Sequence, residues 1–199
     1  MKKLLFIIPA LFFQTMQAQQ KEPLKFNDKG EFKIVQFTDV HFKYKNPASD
    51  VALECIDRVL DAEKPELVIF TGDVVYNSPA DTAMITVLSH VSKRNIPFVV
   101  TLGNHDDEQN LTREQLYNVA RSVKGNIQPD NQTDFVLRVN SKDKEDALLY
   151  VFDSHSYSKL PNVKGYDWIK ANQIKWYRQL SNKETSANNN KPLPALAFF

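Results

Sequence analysis

The chain has 199 residues, 42% hydrophobic and 25% charged, which fits one folded domain and excludes a disordered or fibrous class. Lys and Arg number 25 against 24 Asp and Glu, a net charge of +1, so the sequence lacks the electrostatic footprint of a dedicated nucleic-acid binder. Its one cysteine, Cys55, excludes an intrachain disulfide framework and is expected to be a small buried hydrophobe on a helix.

Residues 1–18 read as a secretory signal peptide. Lys2 and Lys3 form a basic start, Leu4 to Phe13 are almost wholly apolar, and Met16-Gln17-Ala18 offers a small residue for cleavage. The apolar run is about half the ~20 residues a membrane span requires. No cysteine follows it to carry a lipid. The expectation is an exported protein, periplasmic or extracellular, with no membrane span once the signal is removed. Residues 24–199 then form a single domain.

The first strand is expected from Phe32 to Asp39, with Ile34 and Val35 buried on opposite faces. Ser49-Asp50 signals a helix start. Ala52, Cys55, Ile56, Val59 and Leu60 then keep helical spacing until Pro65. Leu67 to Phe70 form the second strand. Asp81 is read as the cap of a second helix with a stripe of Met84, Ile85, Leu88 and Val91, ending before Pro97. Phe98 to Thr101 form the third strand. Thr112 with Gln115 reads as a capping box for a helix carrying Leu116, Val119, Ala120 and Val123. Strands and helices alternate to this point, which favours a parallel sheet with right-handed crossovers.

After Asn126 the pattern changes. Phe135 to Val139 and Leu148 to Phe152 read as a hairpin joined by the charged, solvated loop Lys142 to Asp146. A further helix is expected from about Asp167 to Leu180, with Trp168, Ile174 and Tyr177 buried, followed by a polar stretch from Ser181 to Lys191. Leu196 to Phe199 look like a strand just begun, and the simplest account of such an ending is a piece of a longer protein.

Three short motifs follow the three parallel strands: Asp39-Val40-His41, Gly72-Asp73 and Gly103-Asn104-His105-Asp106. Each delivers oxygen or imidazole ligands from a strand end, which is how an open α/β sheet builds a site along one edge. Asp73 suits a bridge between two cations, because a carboxylate has two oxygens. Asp39 and His41 can both turn toward one ion, and Asn104 offers a neutral amide oxygen to the other. Gly72 and Gly103 let the backbone bend where a side chain would obstruct it. His105 is expected beside the metals, donating a proton or hydrogen bond to the phosphate. Asp106 either orients that ring or caps the next helix. His90 is assigned a structural or surface role, and for Asp153 a turn is favoured over a role supporting the ligands from behind. Nothing in the sequence ties His155 to a ligand role.

In order and spacing these motifs resemble the calcineurin-like metallophosphoesterase superfamily. Phe32-Lys33-Ile34-Val35-Gln36, Glu63-Lys64-Pro65-Glu66-Leu67, Gly165-Tyr166-Asp167-Trp168-Ile169 and Leu193 to Phe199 extend the resemblance to its purple-acid-phosphatase-like subgroup. The resemblance implies an α/β sandwich of two sheets flanked by helices, with the second sheet incomplete here. It implies two divalent or mixed-valence ions (Fe, Mn or Zn) and hydrolysis of small phosphoesters by metal-bound hydroxide. Metals would sit on Asp39, His41, Asp73 and Asn104, with His105 catalytic and Asp106 in support. Tyr76 matches the block in which purple acid phosphatases use tyrosinate, but His41 is expected to fill that position. The family's later histidine block is absent, and no histidine follows His155. The rival reading is an inactive remnant or binding module that keeps the fold.

Overall fold

The computed structural model describes residues 23–142 and 146–199. The segment read as a signal peptide lies outside the described residues, as does most of the charged hairpin loop. Strands β1 (Ile34–Phe37), β2 (Leu67–Thr71) and β3 (Phe98–Thr101) form a parallel sheet in the order β1-β2-β3. Helices α1 (Pro47–Glu63) and α2 (Ala80–Ser92) make the crossovers, and α3 (Arg113–Ser122) follows β3. Strands β4 (Phe135–Val139) and β5 (Ala147–Val151) pair antiparallel as the expected hairpin. Helix α4 (Ala171–Ala187) leads to β6 (Ala195–Phe198), which pairs parallel with β5 in a second sheet of order β4-β5-β6.

Side-chain alternation along β2 explains how the layers stack. Val68 and Phe70 point into a core shared with α1, α2 and α3, whereas Leu67 and Ile69 pack against Phe135, Val139, Leu149 and Val151 of the second sheet. The first four β2 side chains, Leu67 to Phe70, are 0% exposed, and burial of that kind stabilises by roughly 1.5–3 kcal/mol per side chain. The outer face of the second sheet, Leu148, Tyr150 and Phe152, is covered by Trp176 and Leu180 of α4. The result is a four-layer sandwich, helix–sheet–sheet–helix. Ile34 and Val35 divide between the two cores as expected.

Several local expectations are corrected. Helix α1 starts earlier than Ser49, because the Asn46 side chain accepts the Ala48 N–H and Pro47 fits the first turn. Cys55 is exposed, lying one position off the buried Ile56–Leu60 face. Asp81 sits inside the first turn of α2 instead of capping it, and Ile85 is exposed while Ala83 and Val87 fill the stripe. The Thr112–Gln115 capping box is present. Helix α4 runs later than expected and takes in part of the polar stretch. Its inward face is Gln173, Trp176 and Leu180, leaving Trp168, Ile174 and Tyr177 exposed. A helix that covers only a sheet's outer face can keep apolar residues on its solvent side without forming a second core. Among the described residues, no helix is long and apolar enough to cross a membrane.

Candidate metal centre

The loops leaving β1 and β2 stay hydrogen-bonded to each other beyond the strands. Asp39 N–H donates to Gly72 O at 3.1 Å, His41 N–H to Asp73 O at 2.8 Å, and Phe42 N–H to Val74 O at 3.0 Å. Three of the expected site residues adopt left-handed backbone: Asp39 at φ 53°, His41 at 46° and Asp73 at 53°. Such conformations cost non-glycine residues energy and persist where the surroundings impose them, which is common at functional sites. Gly72 also has positive φ, at 93°. Gly103 is required for another reason: a Cβ there would lie 2.1 Å from Asp73 Oδ1. That glycine lets the third loop close directly onto the Asp73 carboxylate.

Asp39, Asp73 and Asn104 line one cleft of about 230 Å³ at the carboxyl ends of the parallel strands. The far wall comes from the loop after β5, with His155, Ser156, Tyr166 and Asp167. Separately, His41, Asp73 and His105 offer ligand atoms that all lie within 4.8 Å of one another. His41 Nε2 is 3.3 Å from Asp73 Oδ2, and the His105 backbone N–H donates to Asp73 Oδ1 at 3.0 Å. Asp73 thus belongs both to the cleft and to the imidazole cluster. Asp39 lines the cleft, and His41 lies in the imidazole cluster beside Asp73. The Tyr76 ring lies edge-on to both imidazoles, 5.1 Å from His41 and 5.0 Å from His105.

Asp106 neither touches the His105 ring nor caps α3. It is fully buried, and its Oδ2 accepts the N–H groups of Asp73 and Gly103 at 2.9 and 2.8 Å. Its Oδ1 accepts those of Val74 and Val75 at 2.8 and 2.9 Å. One carboxylate therefore fixes the loop after β2 to the loop after β3. Burial pushes its pKa up, against the pull of the Val75 and Gly103 hydrogen bonds.

The His105 ring is engaged by Glu108, whose Oε2 lies 2.7 Å from Nδ1. That contact raises the His105 pKa above its ordinary value. Hydrogen bonds from Tyr157 and then His105 hold the Glu108 carboxyl below its usual range.

Sequence reasoning missed Glu108 and Arg113. The Arg113 guanidinium donates to Leu102 O at 2.5 Å and Gly103 O at 2.6 Å, and pairs with Asp153 at 2.6 Å. Asp153 also accepts the His155 N–H at 2.8 Å, so it forms a turn and an ion pair at once. Spacing could have flagged Glu108, three residues after His105. Arg113 and Asp153 are 40 residues apart, and no periodicity announces their contact. His90 lies away from the cleft, with Nδ1 2.9 Å from Asp57.

These donors suit hard or borderline cations. The His41 and His105 imidazoles cluster with the Asp73 carboxylate, and Asp39 and Asn104 share its cleft. The Gly103 cradle that keeps Asp73 in place would be filled by any larger residue.

Fold and site together define a metallophosphoesterase-like protein. The chain belongs to the calcineurin-like phosphoesterase family, whose model matches residues 32–196. It is 30% identical over 219 residues to probable inactive purple acid phosphatase 29 of Arabidopsis thaliana, covering 90% of this chain and 56% of that protein. It is 33% identical over 184 residues to phosphatase DCR2 of Saccharomyces cerevisiae, covering 77% of this chain and 32% of that one. A dimetal phosphatase from Danio rerio shares the fold with a TM-score of 0.59 at 12% identity, covering 84% of this chain and 68% of that chain. The chain spans about half the length, or less, of these curated relatives.

Proposed function

We propose that this chain carries the first metal-binding half of an exported phosphoesterase that hydrolyses phosphomonoesters, with phosphodiesters as the second substrate class. The observation that carries the reading is the double membership of Asp73, which touches the imidazole cluster through His41 and His105 and the cleft beside Asp39 and Asn104. A bridging carboxylate between two ions needs that position. Asp39, His41, Asp73 and Asn104 would hold the ions, with Fe, Mn or Zn all compatible. When bound, such ions supply positive charge for phosphoryl oxygens and lower the pKa of water.

The chain's own residues then divide the remaining work. His105, with Nδ1 engaged by Glu108, keeps Nε2 for a proton or hydrogen bond to the departing alcohol oxygen. Asp106 holds the Asp73 and Gly103 backbones so that both loops meet without adjustment during turnover. The cleft walls exclude part of the solvent around the ester. Export rests on the basic and apolar start of the chain, Lys2 to Phe13.

The test is hydrolysis of 4-nitrophenyl phosphate and bis(4-nitrophenyl) phosphate by the natural full-length protein, titrated with Mn²⁺ or Zn²⁺. Turnover that saturates with metal and falls in His105→Ala, at nearly unchanged metal content, supports the reading. Equal metal loss in His105→Ala would make that imidazole a ligand. A second reading, a binding module that keeps the fold, is favoured by the names of three relatives given as probable inactive purple acid phosphatases. Tight metal binding with no turnover of either ester would select it.

A further inference from the structure

Glu108 and Tyr157 stand beside the site with a set of contacts that the proposed mechanism uses only in part. His105 immediately precedes a short 3-10 turn, Asp106–Glu108, and Glu108 closes it. In that geometry side chains at i and i+3 eclipse one another, which brings Glu108 Oε2 to 2.7 Å from His105 Nδ1. The other carboxylate oxygen, Oε1, accepts the Tyr157 hydroxyl at 2.7 Å. The same hydroxyl oxygen accepts Asn104 Nδ2–H at 3.3 Å. Asp106, the nearer carboxylate in sequence, is unavailable for this task because backbone N–H groups occupy both its oxygens.

Donor and acceptor chemistry fixes the direction of every bond in this chain. An ionised carboxylate only accepts, so the Tyr157 hydroxyl must give its proton to Glu108. Its oxygen is then free only to accept, so Asn104 must turn its NH₂ group toward Tyr157. Asn104 Oδ1 is thereby left for a cation. By the same logic His105 must donate Nδ1–H to Glu108 and is left with Nε2. A hydroxyl alone would allow either sense; the carboxylate removes the choice.

Tyr157 is itself held. Its ring lies 5.6 Å from that of Tyr166, the two residues form a β-bridge, and the neighbouring Ser156 Oγ donates to Asn104 O at 3.1 Å.

We propose that Glu108 is a positioning residue that sets the orientation of both His105 and Asn104, the latter through Tyr157. A loop of the second sheet would thereby control which atoms the first sheet's site presents. This inference rests on the proposed roles of Asn104 and His105.

The experiment compares the full-length protein with Glu108→Ala, Glu108→Gln and Tyr157→Phe, all loaded with diamagnetic Zn²⁺. Side-chain ¹⁵N–¹H NMR reads the His105 ring proton, calorimetry reads Zn²⁺ affinity, and 4-nitrophenyl phosphate turnover gives kcat and KM. In Glu108→Ala the Nδ1–H signal should vanish, with Zn²⁺ affinity and kcat each falling on the order of 10-fold and KM nearly unchanged. Glu108→Gln should regain the Nδ1–H signal, because the amide oxygen still accepts it. Tyr157→Phe should keep that signal while losing Zn²⁺ affinity by several-fold, since only the Asn104 arm is cut.

An Nδ1–H signal that survives in Glu108→Ala overturns the proposal, as does an unchanged Zn²⁺ affinity in Tyr157→Phe. Should the natural protein turn over no ester while both expected spectroscopic and affinity changes occur, the positioning role stands and the hydrolytic reading falls.

Discussion

The two sheets contribute three strands each and share one inner core, but they are stabilised in different ways. The parallel sheet is covered on both faces, by three helices on one side and the second sheet on the other. Its central strand is buried from Leu67 to Phe70, and its strand ends carry the candidate ligands in sequence order. The second sheet buries one face well. Its outer face is covered by a largely polar helix, and its outermost strand β6 exposes Leu196 at 56%. Yet its loops supply the far cleft wall, Tyr157 for the side-chain chain, and Asp153 for the Arg113 ion pair. The locally determined parallel sheet carries the candidate ligands, and loops of the less buried sheet contact them.

The largest effect should come from Asp73→Asn. Losing one carboxylate oxygen from the residue shared by cleft and cluster should cut metal affinity and any turnover on the order of 100-fold or more. Metal titration of the variant checks this, and near-native affinity would move the centre away from the first sheet. Leu67→Ala should destabilise by about 2–5 kcal/mol, since its side chain is fully buried between the sheets and leaves a cavity. Denaturant unfolding gives that number. Gly103→Ala should weaken metal binding on the order of 10-fold, because its Cβ and Asp73 Oδ1 cannot both keep their places. Loss of binding without displacement of Asp73 in a crystal structure of the variant would contradict this account.

A smaller effect tests the helical layer. Burial pushes the Asp57 carboxyl up, but hydrogen bonds from His90 and Arg94 outweigh it and hold the pKa at about 2, against 3.8 for the free side chain. Because the folded value is the lower one, the contribution is present above pH 3.8 and fades as pH falls toward 2. After solvent screening it is on the order of 1 kcal/mol. Acid unfolding of Asp57→Asn should be correspondingly less steep between those limits. The smallest effect belongs to Leu196→Ala, expected within about 0.5 kcal/mol. A large loss there would show that β6 matters to stability far more than its exposure suggests.

Much of the first half was legible because its signals are local. Continuous apolar runs such as Leu67 to Phe70 mark strands buried on both faces, and the Thr112–Gln115 box marks a helix start within four residues. The motifs after β1, β2 and β3 could be placed on one edge because parallel strands with right-handed crossovers bring their carboxyl ends together. Where signals were partial, the reading slipped. Cys55 and Ile85 sit on helix flanks where period alone does not settle burial, and α4 has only a narrow inward face.

Sequence by itself determined the order of strands and helices, the family pattern and the residues able to bind a cation, since each depends on neighbours within a few positions. Only the tertiary structure decided that Asp106 serves backbone N–H groups of two loops, that Glu108 holds the imidazole, and that Arg113 meets Asp153. Polar groups taken out of water must find partners wherever the fold brings them. Side-chain type shows the capacity to bond, while the partner is fixed by how separate loops pack.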